Sequence, residues 1–270
     1  VAEDGSGVAE VWDPATGMFG PTGALGEVRE GQAATLLADG RVLAMVGAAD
    51  EGAHCLAAEA YVWDPDTGAF ATAGKLAEAC EVHSALRLPD GRVLVFGEGG
   101  LDAEVWDPTT TTFSGAGSLV RARQHQNAVL LPEGGVLVIG GWGGQGVLAS
   151  AELWDPATAT FSRAGRLPQA RSGFTATLLS DGRVLIVGGY GRDNRLPRSA
   201  EIWDPASSTF DPAGSLLDVA SVYSSTLLSD GRVLVVGDSA DDRYGLAEVW
   251  DPEATTSAAD HPRPKPKAIR

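Results

Sequence analysis

Short apolar runs broken by turn residues organise this chain. Thr175-Ala176-Thr177-Leu178-Leu179 is followed by Ser180-Asp181-Gly182-Arg183, then by Val184-Leu185-Ile186-Val187 and Gly188-Gly189. Two β-rich runs joined by Asp-Gly predict a hairpin, strands a and b. Further on, Ala200-Glu201-Ile202-Trp203-Asp204-Pro205 alternates, with Ala200, Ile202 and Asp204 on one face and Glu201 and Trp203 on the other. This is strand c, and Pro205, which has no N–H to donate, ends its ladder. Thr209-Phe210-Asp211-Pro212-Ala213-Gly214 supplies a fourth strand, d, whose Pro and Gly suit a sheet edge.

The unit recurs. Trp12, Trp63, Trp106, Trp154, Trp203 and Trp250 are each followed by Asp-Pro, at spacings of 51, 43, 48, 49 and 47 residues. Repeats of that length indicate solenoids, propellers or arrays. Asp-Gly-Arg turns stand at Asp39, Asp90, Asp181 and Asp230, and Glu133-Gly134-Gly135 replaces them once. The count is five a–b hairpins, six c strands and five d strands. The Trp of strand c reads as an apolar wedge between neighbouring units, with its N–H seeking a partner at the rim.

Gly-Gly after strand b (Gly140-Gly141, Gly188-Gly189), an aromatic in strand c and Phe in strand d resemble the kelch repeat. The variant Leu-Leu-x-Asp-Gly-Arg-Val-Leu with Glu-x-Trp-Asp-Pro is similar to bacterial kelch-like proteins and, more distantly, to the propeller of galactose oxidase. The resemblance implies an all-β, kelch-like β-propeller over residues 1–252, with a Pro/Lys-rich extended tail over 253–270. Five four-stranded blades are expected, closed by pairing the last a and b strands with N-terminal strand material; an incomplete six-bladed ring is the alternative. Such propellers include enzymes and interaction modules, so fold alone does not choose between them.

Charge removes some partners. The chain has 36 acidic against 20 basic residues, a formal net charge of −16, which argues against nucleic acid. No apolar run approaches the roughly 18 residues that span a bilayer. The first residues, Val1-Ala2-Glu3-Asp4-Gly5-Ser6-Gly7, lack the charged and apolar regions of a secretion signal, and a secreted or periplasmic mature form stays compatible with that. With 44% apolar residues and 35 Gly, a compact monomer with many tight turns is expected.

Function is sought where the copies disagree. The b–c and d–a connections of a four-stranded antiparallel blade emerge at one end, and the b–c loops vary in length and chemistry, as binding loops do. The second Gly is lost at Gly47-Ala48, Gly97-Glu98 and Gly237-Asp238. At the start of strand a, Arg29, Arg123 and Arg171 have two readings: repeat residues that pair with loop carbonyls or neighbouring acids, and ligand contacts. The same segments carry Gln32, His83, Gln126, Phe174 and Tyr223, while Trp142 and Tyr190 follow the Gly pairs. A mouth with polar and aromatic sides is the pattern of a site for a small molecule or a peptide or protein segment.

The densest chemistry is His54-Cys55 with Cys80-Glu81-Val82-His83. Thiolate and imidazole ligands from two loops suit zinc or copper, and iron is kept open as a third metal. A Cys55–Cys80 disulfide needs the same proximity and no metal. A third reading makes Cys80 a nucleophile with His83 as base and Arg123 or Arg171 lowering the thiol pKa; in the metal reading Glu78 or Glu81 is the proton carrier or a further ligand. Three function classes therefore stand: a binding propeller, a metal-dependent enzyme and a structural piece of a longer repeat protein.

Overall fold

The computed structural model describes residues 6–27, 32–49, 55–77, 82–97, 100–192, 195–239 and 245–254. Every regular element among them is a strand, apart from a single 3-10 residue at Arg192. The chain groups into two compact units, residues 1–173 with 190–195, and residues 174–189 with 196–270.

The first unit opens with a two-stranded sheet, β1 (Ser6–Asp13) and β2 (Met18–Glu27). Next comes β3 (Gln32–Leu36), β4 (Val42–Ala49), β5 (Cys55–Trp63) and β6 (Phe70–Lys75), hydrogen-bonded in that order. The same a–b–c–d order is repeated by β7 (Val82–Arg87), β8 (Val93–Gly97), β9 (Asp102–Asp107) and β10 (Thr112–Ser118). The third copy comprises β11 (Asn127–Leu130), β12 (Val136–Ile139), β15 (Ser150–Asp155) and β16 (Thr160–Arg166). Its b–c loop carries a small hairpin, β13 (Trp142–Gly143) with β14 (Gly146–Val147).

The second unit holds β17 (Thr175–Leu178), β18 (Val184–Val187), β19 (Ser199–Asp204) and β20 (Thr209–Ser215) as one four-stranded sheet. A three-stranded sheet follows, β21 (Val219–Leu227), β22 (Val233–Ser239) and β23 (Leu246–Trp250). All of these pairings are antiparallel. The last a and b strands were expected to take N-terminal strand material. Instead β22 pairs with β23, from Val233↔Trp250 to Gly237↔Leu246, and β1 pairs with β2. The local strand wins because a short b–c loop closes at smaller entropic cost than a distant segment.

Period-two alternation on strand b fills two cores at once. Val93 and Val95 enter the cluster of Leu43, Met45, Val62 and Trp106, while Leu94 and Phe96 enter that of Val105, Val136, Val138 and Trp154. All four are within 1% of full burial, so an uninterrupted apolar run marks a strand covered on both faces. In the second unit Leu185, Val187, Val219, Val233 and Val235 form a further core.

The wedge reading of the tryptophans holds where their bonds are described. Trp106, Trp154 and Trp250 donate Nε1–H to the carbonyls of Ala73, Ala116 and Ala213, each in strand d of the preceding sheet, at 2.9, 2.8 and 2.8 Å. Asp-Gly-Arg turns close as their sequence requires. Asp39 accepts from the backbone N–H and the Nε of Arg41 at 3.1 and 2.8 Å, and Gly40 takes φ 88°. No helix among the described residues is long and apolar enough to cross a membrane.

Candidate functional site

A loop cluster in the first unit forms where strand b stops. After β12, Gly140 and Gly141 take φ 55° and 95°, a left-handed pair that turns the chain out of the ladder. A Cβ on Gly141 would lie 2.5 Å from the Gln124 carbonyl, so this position admits only glycine. The turn sets Trp142 against the d–a segment: its N–H donates to Gln124 O at 2.7 Å, and Gln124 N–H returns a bond to Trp142 O at 2.8 Å. The loop then ties to the next d–a segment, with Gly141 N–H on Arg171 O at 3.0 Å and Arg171 N–H on Leu148 O at 3.1 Å. The b–c and d–a connections thus share one end, as strand order requires.

Tyr190 repeats the device. Gly188 and Gly189 have φ 76° and 88°, and Tyr190 exchanges backbone bonds with Ser172 at 2.8 and 3.0 Å. The two aromatics stand at the same repeat position, and their side chains are 47% and 46% exposed, in a protein that buries most of its large apolar groups. His125, at φ 50°, and its counterpart Gly173, at φ 60°, turn the two d–a segments alike, joined by Gly173 N–H on His125 O at 3.2 Å.

Below this surface Arg123 and Glu152 are spent on structure. Arg123 is fully buried; Nη1 donates to Gly140 O at 2.9 Å and Ser150 O at 3.1 Å, and Nη2 bonds the Glu152 carboxylate and Ser150 Oγ. Burial pulls its guanidinium below the usual value, and Glu152 opposes that shift. Glu152 uses its other oxygen on Val120 N–H at 2.6 Å. Arg123 therefore holds the loop, the first of its two readings, and its assignment as a ligand contact is corrected: no part of it reaches the surface. Arg171 is equally buried and offers a ligand no surface either. Gln126 is 7% exposed, and neither its carboxamide oxygen nor its nitrogen bonds a described residue.

The strand-c glutamates were missed as a site element. Glu104 accepts from Ala77 N–H at 3.0 Å, and Glu248 accepts from Leu217, Asp218 and Val219 N–H at 2.8, 2.8 and 2.6 Å. The signal was present, a Glu two residues before the Trp in five of the six copies, with Tyr61 in its place in the second. Such a carboxylate is kept because it satisfies orphan N–H groups of the preceding d–a segment.

In the second unit Phe174 is 5% exposed, which removes it from an accessible mouth, whereas Tyr223 is 64% exposed. The Tyr223 hydroxyl bonds Asp238, whose other oxygen accepts Gly245 N–H at 2.9 Å. The Gly237-Asp238 departure from Gly-Gly thus anchors a b–c loop. Gln32, Cys55 and His83 lie at strand ends in β3, β5 and β7, with side chains outside the described set. His54, Cys80 and Glu81 lie outside the described residues, so the metal, disulfide and thiol readings fall there. Among the described residues no group of three or more His, Cys, Asp and Glu converges on a point.

No family model matches the chain, and no curated protein matches it in sequence. Solved structures do match. One is a fungal alcohol oxidase of the AA5 family in complex with copper, at a TM-score of 0.72 and 19% identity over 94% of this chain. This chain spans 59% of that one's length. The likeness shows the fold, an all-β propeller built from four-stranded sheets.

Proposed function

We propose that the protein is a ligand-binding propeller, read as one domain over residues 1–252 and acting as a monomer. Its b–c/d–a loop end takes a small molecule or a peptide segment on Trp142 and Tyr190. The observation that carries this reading is the equivalence of the two aromatics: each follows a left-handed Gly pair and is locked by two backbone bonds, yet leaves about half its surface in water. A rigid aromatic offers stacking area at small entropic cost. Gln126, buried beside Gly141 with its carboxamide unbonded, is the polar group a ligand or an ordered water would meet there.

The test is a thermal-shift and fluorescence screen of the wild type against a Trp142→Ala/Tyr190→Ala variant. Compounds that raise the wild-type melting temperature should lose that effect in the variant, whose own melting temperature stays close to wild type. Hits that stabilise both proteins equally would remove the reading.

A metal-dependent enzyme is the second reading, favoured by the copper held in the AA5 neighbour. The described residues provide no donor set for it, so no catalytic step is derived. His54, Cys55, Cys80 and His83 would be the ligands, with Glu81 as proton carrier. Plasma mass spectrometry finding near-stoichiometric zinc, copper or iron that vanishes in Cys80→Ser would make this reading primary. The third reading, a piece of a longer repeat protein, draws on the 59% span.

A further inference from the structure

Trp106, Trp154 and Trp250 donate Nε1–H to the residue three places after the Phe of the preceding strand d: Ala73 after Phe70, Ala116 after Phe113, Ala213 after Phe210. The same spacing from Phe19 gives Thr22 as the acceptor for Trp63. That bond is not made. Trp63 Nε1 is buried and bonds no described residue, and Trp63 and Thr22 both line a cavity of ≈ 470 Å³ between the β1–β2 sheet and the β3–β6 sheet.

A small residue opens the space: strand β4 carries Ala44 where the other b strands carry Val95, Val138, Ile186 and Val235. The walls are mostly apolar, among them Val11, Val42, Ala44, Met45 and Phe70. Among the described residues that line the space, Glu10 is the one that carries a charge. This site is distinct from the Trp142/Tyr190 loop cluster and does not rest on that reading.

We infer that this cavity is a binding site for a neutral, largely apolar small molecule bearing one acceptor oxygen, which takes the Trp63 Nε1–H in place of a strand-d carbonyl. The volume falls within the range of small-molecule sites, and a single buried donor in an apolar wall fixes orientation. The Glu10 carboxylate disfavours anions.

The experiment is titration of the ¹⁵N-labelled chain with acetophenone, read at the indole N–H resonances of its seven tryptophans. Trp63 is identified by the peak lost in Trp63→Phe. Acetophenone should shift that peak saturably. Ethylbenzene, which lacks the acceptor, should bind about tenfold more weakly, and benzoate should leave the peak in place. Ala44→Leu, which fills the cavity, should abolish the shift while the other indole peaks stay put, showing that the fold is intact. No saturable shift at Trp63, or an equal one in Ala44→Leu, overturns the site; ethylbenzene binding as tightly as acetophenone overturns the role of the indole donor.

Discussion

The first and third four-stranded sheets are written in the same repeat and end differently. In the third, strand b stops after four residues, Gly140-Gly141 turns the chain out, and Trp142 is carried into solvent. In the first, Gly47-Ala48 replaces the Gly pair and strand b continues through Ala49. Beneath the third, Arg123 and Glu152 form a buried pair that holds two loops. In the first, Tyr61 stands where the third has Glu152, and Glu59, two residues earlier, bonds Lys75 and Tyr61 with its side chain 36% exposed. Glu59 in turn pushes the Tyr61 phenol up to about 12, through their hydrogen bond before burial. The second Gly and the Glu two residues before the Trp thus separate a sheet that presents a loop from one that merely extends.

Removing the carboxylate should break this comparison most visibly. Glu152→Ala strands a buried guanidinium and should cost about 3–5 kcal/mol. Glu59→Ala loses a solvent-screened pair and should cost roughly 0–1 kcal/mol. Urea unfolding of both variants measures the gap, and equal losses would mean that the two positions do the same job.

Gly141→Ala tests the turn. Its left-handed φ and the contact with Gln124 O should lower stability by about 2–3 kcal/mol. Gly144→Ala, three residues past Gly141 with open space around its Cβ, should stay within about 0.5 kcal/mol. Differential scanning calorimetry on the pair separates them.

The c–d turn offers a smaller contrast. Gly68 in the first sheet has φ 68°, whereas the same position in the second, third and fourth sheets holds Thr111, Ala159 and Ser208 at φ 55°, 52° and 55°. Thr111→Gly should stabilise by about 0.5–1 kcal/mol, the left-handed penalty less the added chain entropy, and Gly68→Thr should do the reverse. Thermal melting reads both.

The smallest effect is acid sensitivity. The Arg41, Arg183 and Arg232 side chains hold Asp39, Asp181 and Asp230 below the ordinary carboxylate value. A depressed folded value means that the contribution is complete above the unfolded pKa, near 3.9, and is lost as pH falls through the folded one. Triple replacement by Asn should flatten the stability curve below about pH 4 and leave it unchanged near neutrality. An unchanged acid limb would show that these exposed turns contribute nothing measurable.

The legible parts of the fold are those whose partners lie a few residues away. Asp39 reaches Arg41 two residues on, and Asp107 reaches Thr109 in the same way, so turn and strand follow from the local string. The Trp wedge was legible through repetition. The aromatic pair at Trp142 and Tyr190 was legible because it follows Gly-Gly. Arg123 and Glu152 were not paired in advance, since 29 residues separate them and only the stacking of loop on strand brings them together. Gln126 and Phe174 could not be told from surface groups, because burial there depends on which loop covers them.

Sequence by itself determined the strand order a–b–c–d, the turns between strands, the Trp side of strand c and the two left-handed Gly pairs, since each rests on backbone preference or period-two alternation within one repeat. Tertiary structure alone decided that Arg123 faces Glu152 and that Trp63 lacks the acceptor its counterparts have. Those outcomes depend on which segments distant in the chain come to lie side by side, and a repeat that spells every copy nearly alike does not distinguish among its own neighbours.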